Sequence, residues 1–403
     1  AKSFSSLPAL SPMTAKSLTI SVLLKTRRTA MLDDTLQGCR VLDLSQYLPG
    51  PFATRLLADL GAEVVKVEPP AGDPMRFFIF LDDDGLSPLY KQVNAGKSVI
   101  KLDLKSKSGC DCFAELVASA DVLLESYRPG VMDRLGFSQA QLHALNPRLI
   151  HCALSGFGQD GPASHRAGHD LTYMALSGML HHTGTVETPV IPFPPISDYA
   201  GGQHAASMVL AGLLRRERTG QGCYIDTSLF ETVLSWQSFG QAGVGRSGRS
   251  LEPGHGLITG GMACYQIYQT KDQKFVVLGA LEEKFWQAFC LAVDRPEWVG
   301  RQYEKTPQAG LIKELRALFV KASRDSWVAL LAGTDCCFEP LLNPDEVTGH
   351  PHVQSRQLLE PPLGKALPAE VRFPAILNQQ IPSNRQPLRE VSAQLIASRW
   401  QEG

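Results

Sequence analysis

Arg40-Val41-Leu42-Asp43-Leu44-Ser45, then Pro49-Gly50-Pro51, an apolar run at helical spacing from Phe52 to Leu60, Gly61, and Ala62-Glu63-Val64-Val65-Lys66-Val67-Glu68 form the stretch that decides the fold. The first six residues make a short β-run. Pro51 suits the first helical position, where a missing N–H costs nothing. Gly61 stands where a helix gives way to a left-handed residue. A second β-run follows at once and Pro69-Pro70 closes it.

The same alternation continues outward. Past a loop with Gly72-Asp73-Pro74, Ser98 to Leu104 reads as a third strand. A helix from about Ser108 to Ala118 leads to a fourth, Asp121 to Glu125, and two short helices lead to a fifth, Arg148 to Leu154. Strands alternating with helices at this spacing predict an α/β fold with a doubly wound parallel sheet, whose ligands bind at the C-terminal strand ends. After Ser155 the pattern changes. Gly156 to Pro162 is a loop, Asp170 to Leu180 a helix, and residues 201–218 another helix ending in Arg215-Arg216-Glu217-Arg218. Thr219-Gly220-Gln221-Gly222 turns into the strand Cys223 to Asp226. From about Gly254 a smaller α+β domain is expected, with strands Met262–Gln269 and Lys274–Leu278 and helices near 283–293 and 308–322. A Pro-rich tail follows Pro351, with a last helix near Ser392–Trp400.

The chain has 403 residues, 44% hydrophobic and 20% charged, which suits a folded globular protein. Lys+Arg is 39 and Asp+Glu is 40, so no basic excess argues for nucleic acid. No apolar run reaches the roughly 18 residues of a membrane span. The nine cysteines are irregularly spaced without C-x-x-C, and read as small buried hydrophobes in a reducing, cytoplasmic setting. Residues 1–30 carry Lys2, Lys16, Lys25, Arg27 and Arg28 and no acid. They read as a tag or upstream extension ahead of Met31, with a mitochondrial transit peptide as the alternative.

Gly243-Val244-Gly245-Arg246-Ser247-Gly248 matches G-x-G-x-x-G but lacks a preceding strand, and reads as a loop between domains. No P-loop, H-E-x-x-H or G-x-S-x-G is present, and the neighbours His181-His182 cannot share a helix face. Two segments remain: Arg166-Ala167-Gly168-His169-Asp170-Leu171-Thr172-Tyr173, and Pro194-Pro195-Ile196-Ser197-Asp198-Tyr199-Ala200-Gly201-Gly202. Each puts a titratable residue near a loop-to-helix junction, where free N–H groups stabilise a carboxylate or oxyanion. On residues alone, Asp198 is an N-cap and His169 a packed histidine.

The order of motifs resembles the family III CoA-transferases, the CaiB/BaiF group, which also contains α-methylacyl-CoA racemases. The carrying segments include Arg40 to Leu44, Pro49-Gly50-Pro51, Leu57 to Glu68, Arg128-Pro129-Gly130, Asp133 to Gly136, Asn146 to Ile150, Gly156 to Gln159, Gly168-His169-Asp170, Asp198 and Thr219 to Gly222. The resemblance covers about Leu36 to Leu377. It implies an intertwined homodimer, a large CoA-binding domain over residues 31–225 and 350–403, and linkers with a small domain over 226–349. It also implies that a CoA thioester is substrate, with a carboxylic acid as second substrate and no permanently bound cofactor or metal.

Asp198 matches the carboxylate that in the transferases attacks the acyl-CoA thioester and passes through an anhydride to an aspartyl-CoA thioester. In the racemases, His169 and Asp198 match a pair that exchanges the α-proton, and Glu282 matches an acid that assists the histidine. Arg76, Lys97, Lys105, Arg128 and Arg134 are the cations expected for the CoA phosphates, with Arg128 and Arg134 the best matched. Leu48 stands where formyl-CoA transferases carry Gln, and Pro69-Pro70 replaces a CoA-binding Arg. The sequence reading is a CoA-transferase acting through Asp198. A racemase using His169 and Asp198 is the alternative, and a catalytically idle CoA-binding subunit the second alternative.

Overall fold

A computed structural model of the chain describes residues 32–364, 366–379 and 384–402. The extension at residues 1–30 lies outside them. Strands β1 (Arg40–Asp43) and β2 (Glu63–Glu68) flank helix α1 (Pro49–Asp59). Next come α2 (Pro88–Val93), β3 (Ser98–Lys101), α3 (Lys107–Ser119), β4 (Val122–Glu125), α4 (Val131–Arg134), α5 (Gln139–Leu145) and β5 (Ile150–Ser155). Then α6 (Asp170–Leu176) and α7 (Ile196–Thr219) precede β6 (Cys223–Ser228), α8 (Leu229–Ser235) and α9 (Ser238–Ser247).

One parallel sheet takes these six strands and a seventh, Arg389–Glu390, in the order Arg389–Glu390, β3, β2, β1, β4, β5, β6. The central strands bury side chains on both faces because helices cover both. Val41, Val64 and Ile150 pack with Leu57 of α1 and Val209 of α7. On the opposite face, Leu42, Val65 and Leu123 pack with Phe113 of α3 and Trp400 of the last helix, Ala393–Glu402. A Cβ at Gly202 would lie 2.5 Å from the Pro49 carbonyl oxygen, so glycine lets α7 press on the entry to α1. The chain moves from β1 to β2 and β3 on one side and returns to β4 on the other. The switch point therefore lies between β1 and β4, where such sheets open a crevice at their carboxyl ends.

Residues 262–338 build a second hydrophobic cluster. Strands β7 (Tyr265–Gln269), β8 (Phe275–Gly279) and β9 (Phe338–Pro340) form an antiparallel sheet. Helices α10 (Glu283–Ala292), α11 (Ala309–Phe319) and α12 (Arg324–Leu331) pack on it through Trp286, Phe289, Phe319 and Trp327. The tail is tied back by Arg385, whose Nε and Nη2 donate to the Asp59 carboxylate at 2.6 and 2.8 Å.

Several expectations need correction. The third strand stops at Lys101, since Leu102 to Leu104 already turn into α3. The helix from Asp170 ends at Leu176 and resumes as a 3-10 turn, Met179–His182. The helix expected from residue 201 starts at Ile196, so Asp198 lies inside its first turn and is not its N-cap. The Gly243–Gly248 segment is not a loop: Gly243 to Ser247 are helical in α9, and Gly248, at φ 73°, closes the helix by donating its N–H to the Val244 carbonyl. α2 and α8 were not anticipated. Both are short, and both start on a serine, Ser87 and Ser228, whose hydroxyl accepts a first-turn N–H. Among the described residues, no helix is long and apolar enough to cross a membrane.

Candidate active site

A cleft of about 250 Å³ opens at the carboxyl ends of β1, β4 and β5. Gln46, Tyr47 and Pro49 form the wall after β1, and Ser126, Tyr127 and Arg128 the wall after β4. Leu154, Ser155 and Gly156 form the floor at the end of β5. His169, Tyr173 and Asp198 enter from α6 and α7. The cleft coincides with the switch point.

Asp198 is the one acidic residue lining this cleft among the described residues. Its backbone position is set by Asp170, whose Oδ1 accepts the N–H groups of Ser197 (2.6 Å) and Asp198 (3.2 Å). Asp170 thus begins α6 and caps α7, taking the capping role expected of Asp198. Asp198 is left with its carboxyl in the cleft, half-buried. Burial first, and the Asp170 carboxylate second, push its pKa up to about 7.

His169 precedes the first turn of α6 and is exposed on the cleft, its N–H donated to Thr172 Oγ1 at 3.0 Å. Tyr173 packs edge-on to Phe157, ring centroids 5.0 Å apart. A Cβ at Gly156 or Gly168 would meet the Tyr173 ring or hydroxyl at 2.5 Å, so both glycines make room for it. Burial first, then the Asp198 charge, raise the Tyr173 phenol to about 12, so it stays a neutral donor at pH 7. Arg128 lines the cleft, and so does Arg166, which rests 5.8 Å from the Phe157 ring centroid. Beneath the β4 wall, Glu125 accepts the Tyr127 N–H at 2.6 Å and is pushed up to about 7 by burial.

Asp198, His169 and Arg128 are therefore brought together, and other expected site residues are not. Lys97 is 1% exposed and spends its ammonium on Asp43 Oδ2 (3.0 Å), the Pro51 carbonyl (2.8 Å) and Asn94 Oδ1 (2.9 Å). It cannot reach a CoA phosphate. Arg76 is likewise buried, bonded to Glu68 at 2.6 Å and Glu390 at 2.7 Å, and lies over Tyr90. The expectation for these two cations is corrected: both are held inside the fold. Lys105 and Arg134 are exposed and do not line the cleft, though Arg134 follows directly on the Arg128 loop. Glu282 is exposed ahead of α10 in the second cluster and does not line the cleft of its own chain. The sequence reading missed Arg166 and Tyr173 as cleft residues. Their place in the Arg166–Tyr173 segment was the available signal.

A parallel seven-stranded sheet with a carboxyl in the cleft at its switch point defines an α/β fold with a candidate active site where such sheets bind their ligands. The family model for "CoA-transferase family III" matches residues 36–386, and the chain belongs to that family. It is 34% identical over 344 residues to human succinyl-CoA:glutarate CoA-transferase, covering 82% of this chain and 78% of the relative. It is 33% identical to human alpha-methylacyl-CoA racemase over 324 residues, covering 80% and 81%. The crystal structure of a CaiB/BaiF family protein from Brucella suis superposes with a TM-score of 0.79 at 26% identity, covering 91% of this chain and 99% of that one. The family thus contains both transferases and racemases.

Proposed function

We propose that this chain moves CoA between an acyl-CoA thioester and a carboxylic acid, with Asp198 as the attacking carboxylate. The observation that carries this reading is Asp198 itself, the single acid of the cleft among the described residues, held by Asp170 at the start of α7. Burial removes water from the carboxyl and raises its pKa, which makes the ionised oxygen a stronger nucleophile. One Asp198 oxygen attacks the thioester carbonyl carbon, the C–S bond breaks, and CoA leaves as thiolate. The thiolate attacks the aspartyl carbonyl carbon of the resulting anhydride, and the first acid leaves as carboxylate. The acceptor carboxylate then attacks the aspartyl-CoA carbonyl carbon and expels the CoA thiolate. The thiolate attacks the acceptor acyl carbon of the new anhydride, so the acceptor leaves as its CoA thioester and the Asp198 carboxylate is regenerated. Arg128 and Arg166 are the cations at hand for the CoA phosphates, with Arg134 and Lys105 further out.

A second reading is favoured by His169, which lines the same cleft. Acid–base exchange at the α-carbon of a 2-methylacyl-CoA needs two titratable groups around one carbon, with at least one pKa near neutrality. Asp198 meets that condition and His169 offers the partner. Both readings include an intertwined homodimer, a large domain completed by the tail and a small domain over 226–349. Glu282 would then serve His169 only across a subunit or domain boundary.

Incubation with an acyl-CoA in D2O, with and without a carboxylate acceptor, tests the proposal. CoA exchange without α-carbon label supports transfer. Label at the α-carbon without an acceptor replaces it with the racemase. Hydroxylamine should inactivate the enzyme only after acyl-CoA is added, by trapping the aspartyl thioester.

A further inference from the structure

Four charged side chains, Asp43, Lys66, Asp73 and Lys97, lie beneath the cleft, each no more than 1% exposed. None can touch a ligand. We infer that they are positioning residues: together they hold the backbone of Ser45–Pro51, the cleft wall after β1, in its substrate-binding shape. The inference rests on reading the cleft as the CoA-thioester site.

Each charge ends on that one segment. Lys66 Nζ donates to the Ser45 carbonyl at 2.8 Å and pairs with Asp73 Oδ2 at 2.9 Å. Asp73 Oδ1 accepts the Tyr47 N–H at 3.2 Å and the Met75 N–H at 2.9 Å. Asp43 accepts the Ser45 N–H at 3.0 Å, and its hydroxyl as well. Lys97 Nζ donates to the Pro51 carbonyl at 2.8 Å and to Asp43 Oδ2 at 3.0 Å. Gln46, between the anchored residues, gives its N–H to Ser126 Oγ at 3.1 Å and so ties this wall to the one after β4. Gln46, Tyr47 and Pro49 are the residues of the segment that face the cleft.

Two physical facts separate this arrangement from ordinary core stabilisation. Buried ions cost several kcal/mol each to dehydrate, and apolar side chains of like volume are often at least as stable. What ions supply here is direction, since each bonds to a named backbone atom. Second, Tyr47 has φ 62°, a left-handed conformation that a bulky residue rarely adopts. Such strain persists where the surroundings over-determine it, and it collects at functional sites. The anchors on either side, at Ser45 and Pro51, and the one on Tyr47 itself supply that constraint. Each charge has an opposite charge beside it, Lys66 with Asp73 and Lys97 with Asp43. Burial alone would raise the Asp43 carboxyl, but the Lys97 and Lys66 charges hold it well below the usual carboxylate range.

The test is CoA binding by the full chain, measured by isothermal titration calorimetry with free coenzyme A beside thermal unfolding. The double variant Lys66→Met with Asp73→Asn removes the ion pair without stranding a single charge, and leaves an amide oxygen for the Tyr47 N–H. Asp73→Asn alone is nearly isosteric and serves if the double variant does not fold. The expected result for the double variant is a CoA dissociation constant raised about tenfold or more at a temperature where it is fully folded. Asp73→Asn is expected to move it in the same direction by a smaller factor. Hydrogen exchange should accelerate across residues 44–52. A variant that melts earlier yet binds CoA with wild-type affinity overturns the inference and reduces the four charges to fold stability. Wild-type protein that binds no CoA overturns it by removing the reading of the cleft on which it rests.

Discussion

Asp198→Asn keeps the shape of the side chain and removes its charge, which separates what the carboxyl does for catalysis from what it costs the fold. The folded protein moves this group from its ordinary 3.8 to about 7, through burial and the neighbouring Asp170. At 1.36 kcal/mol per unit, the ionised form is penalised by about 4 kcal/mol. Partial exposure and solvent screening reduce that to about 2 kcal/mol. The folded state binds the proton more tightly than the unfolded chain does. The stability contributed by Asp198 is therefore fully present below pH 3.8 and lost as the pH rises through about 7. Asparagine undergoes no such loss. Thermal unfolding at matched ionic strength should show Asp198→Asn melting a few degrees above wild type at about pH 8, the gap closing toward about pH 4. The same variant should have lost turnover, the usual opposition of stability and function at a functional site. A melting difference independent of pH, or a variant less stable than wild type at about pH 8, would refute the claim that Asp198 is held against its own ionisation.

Three other outcomes are expected. For CoA transfer, kcat/KM should rise with pH through about 7 as Asp198 ionises and then level off, whereas a bell-shaped profile would support a proton-transfer pair. His169→Ala should cost transfer on the order of tenfold, about 1.4 kcal/mol; a loss beyond about a thousandfold in folded protein would promote the racemase. Gly202→Ala places a Cβ 2.5 Å from the Pro49 carbonyl, a backbone atom that cannot swing aside. It should destabilise the chain by about 1–3 kcal/mol in urea titration, and a neutral result would show that α7 and α1 can separate without cost.

The parallel sheet was legible in the sequence because its signals are local. Period and punctuation, from the β-run at Arg40 through Gly61 to Glu68, are properties of neighbours a few residues apart. The errors in the elements were also local. Ile196 to Ala200 lie ahead of the helix expected from residue 201, and Gly243 to Gly248 read as a loop between domains for want of a preceding strand, yet Ile196 to Ala200 and Gly243 to Ser247 are helical. The segments holding His169 and Asp198 could be singled out, but the cap that joins them, Asp170 on α7, is a contact between two helices that no spacing rule reports.

By itself, then, the sequence determined the strand–helix alternation, the motif order that places the chain in its family, and the residue types available for chemistry. Only the tertiary structure decided which charges meet solvent. Lys97 and Arg128 are both cations near strand ends, yet one is sealed under the wall of the cleft and the other lines it. Lys66, read only as part of a strand, and Asp73, read only as part of a loop, become a buried ion pair because β1 and β3 flank Lys66 and the Pro74–Phe77 turn, which Asp73 caps, folds beside them. Whether a side chain is hydrated depends on what the rest of the chain lays over it, and that covering comes from residues distant in sequence.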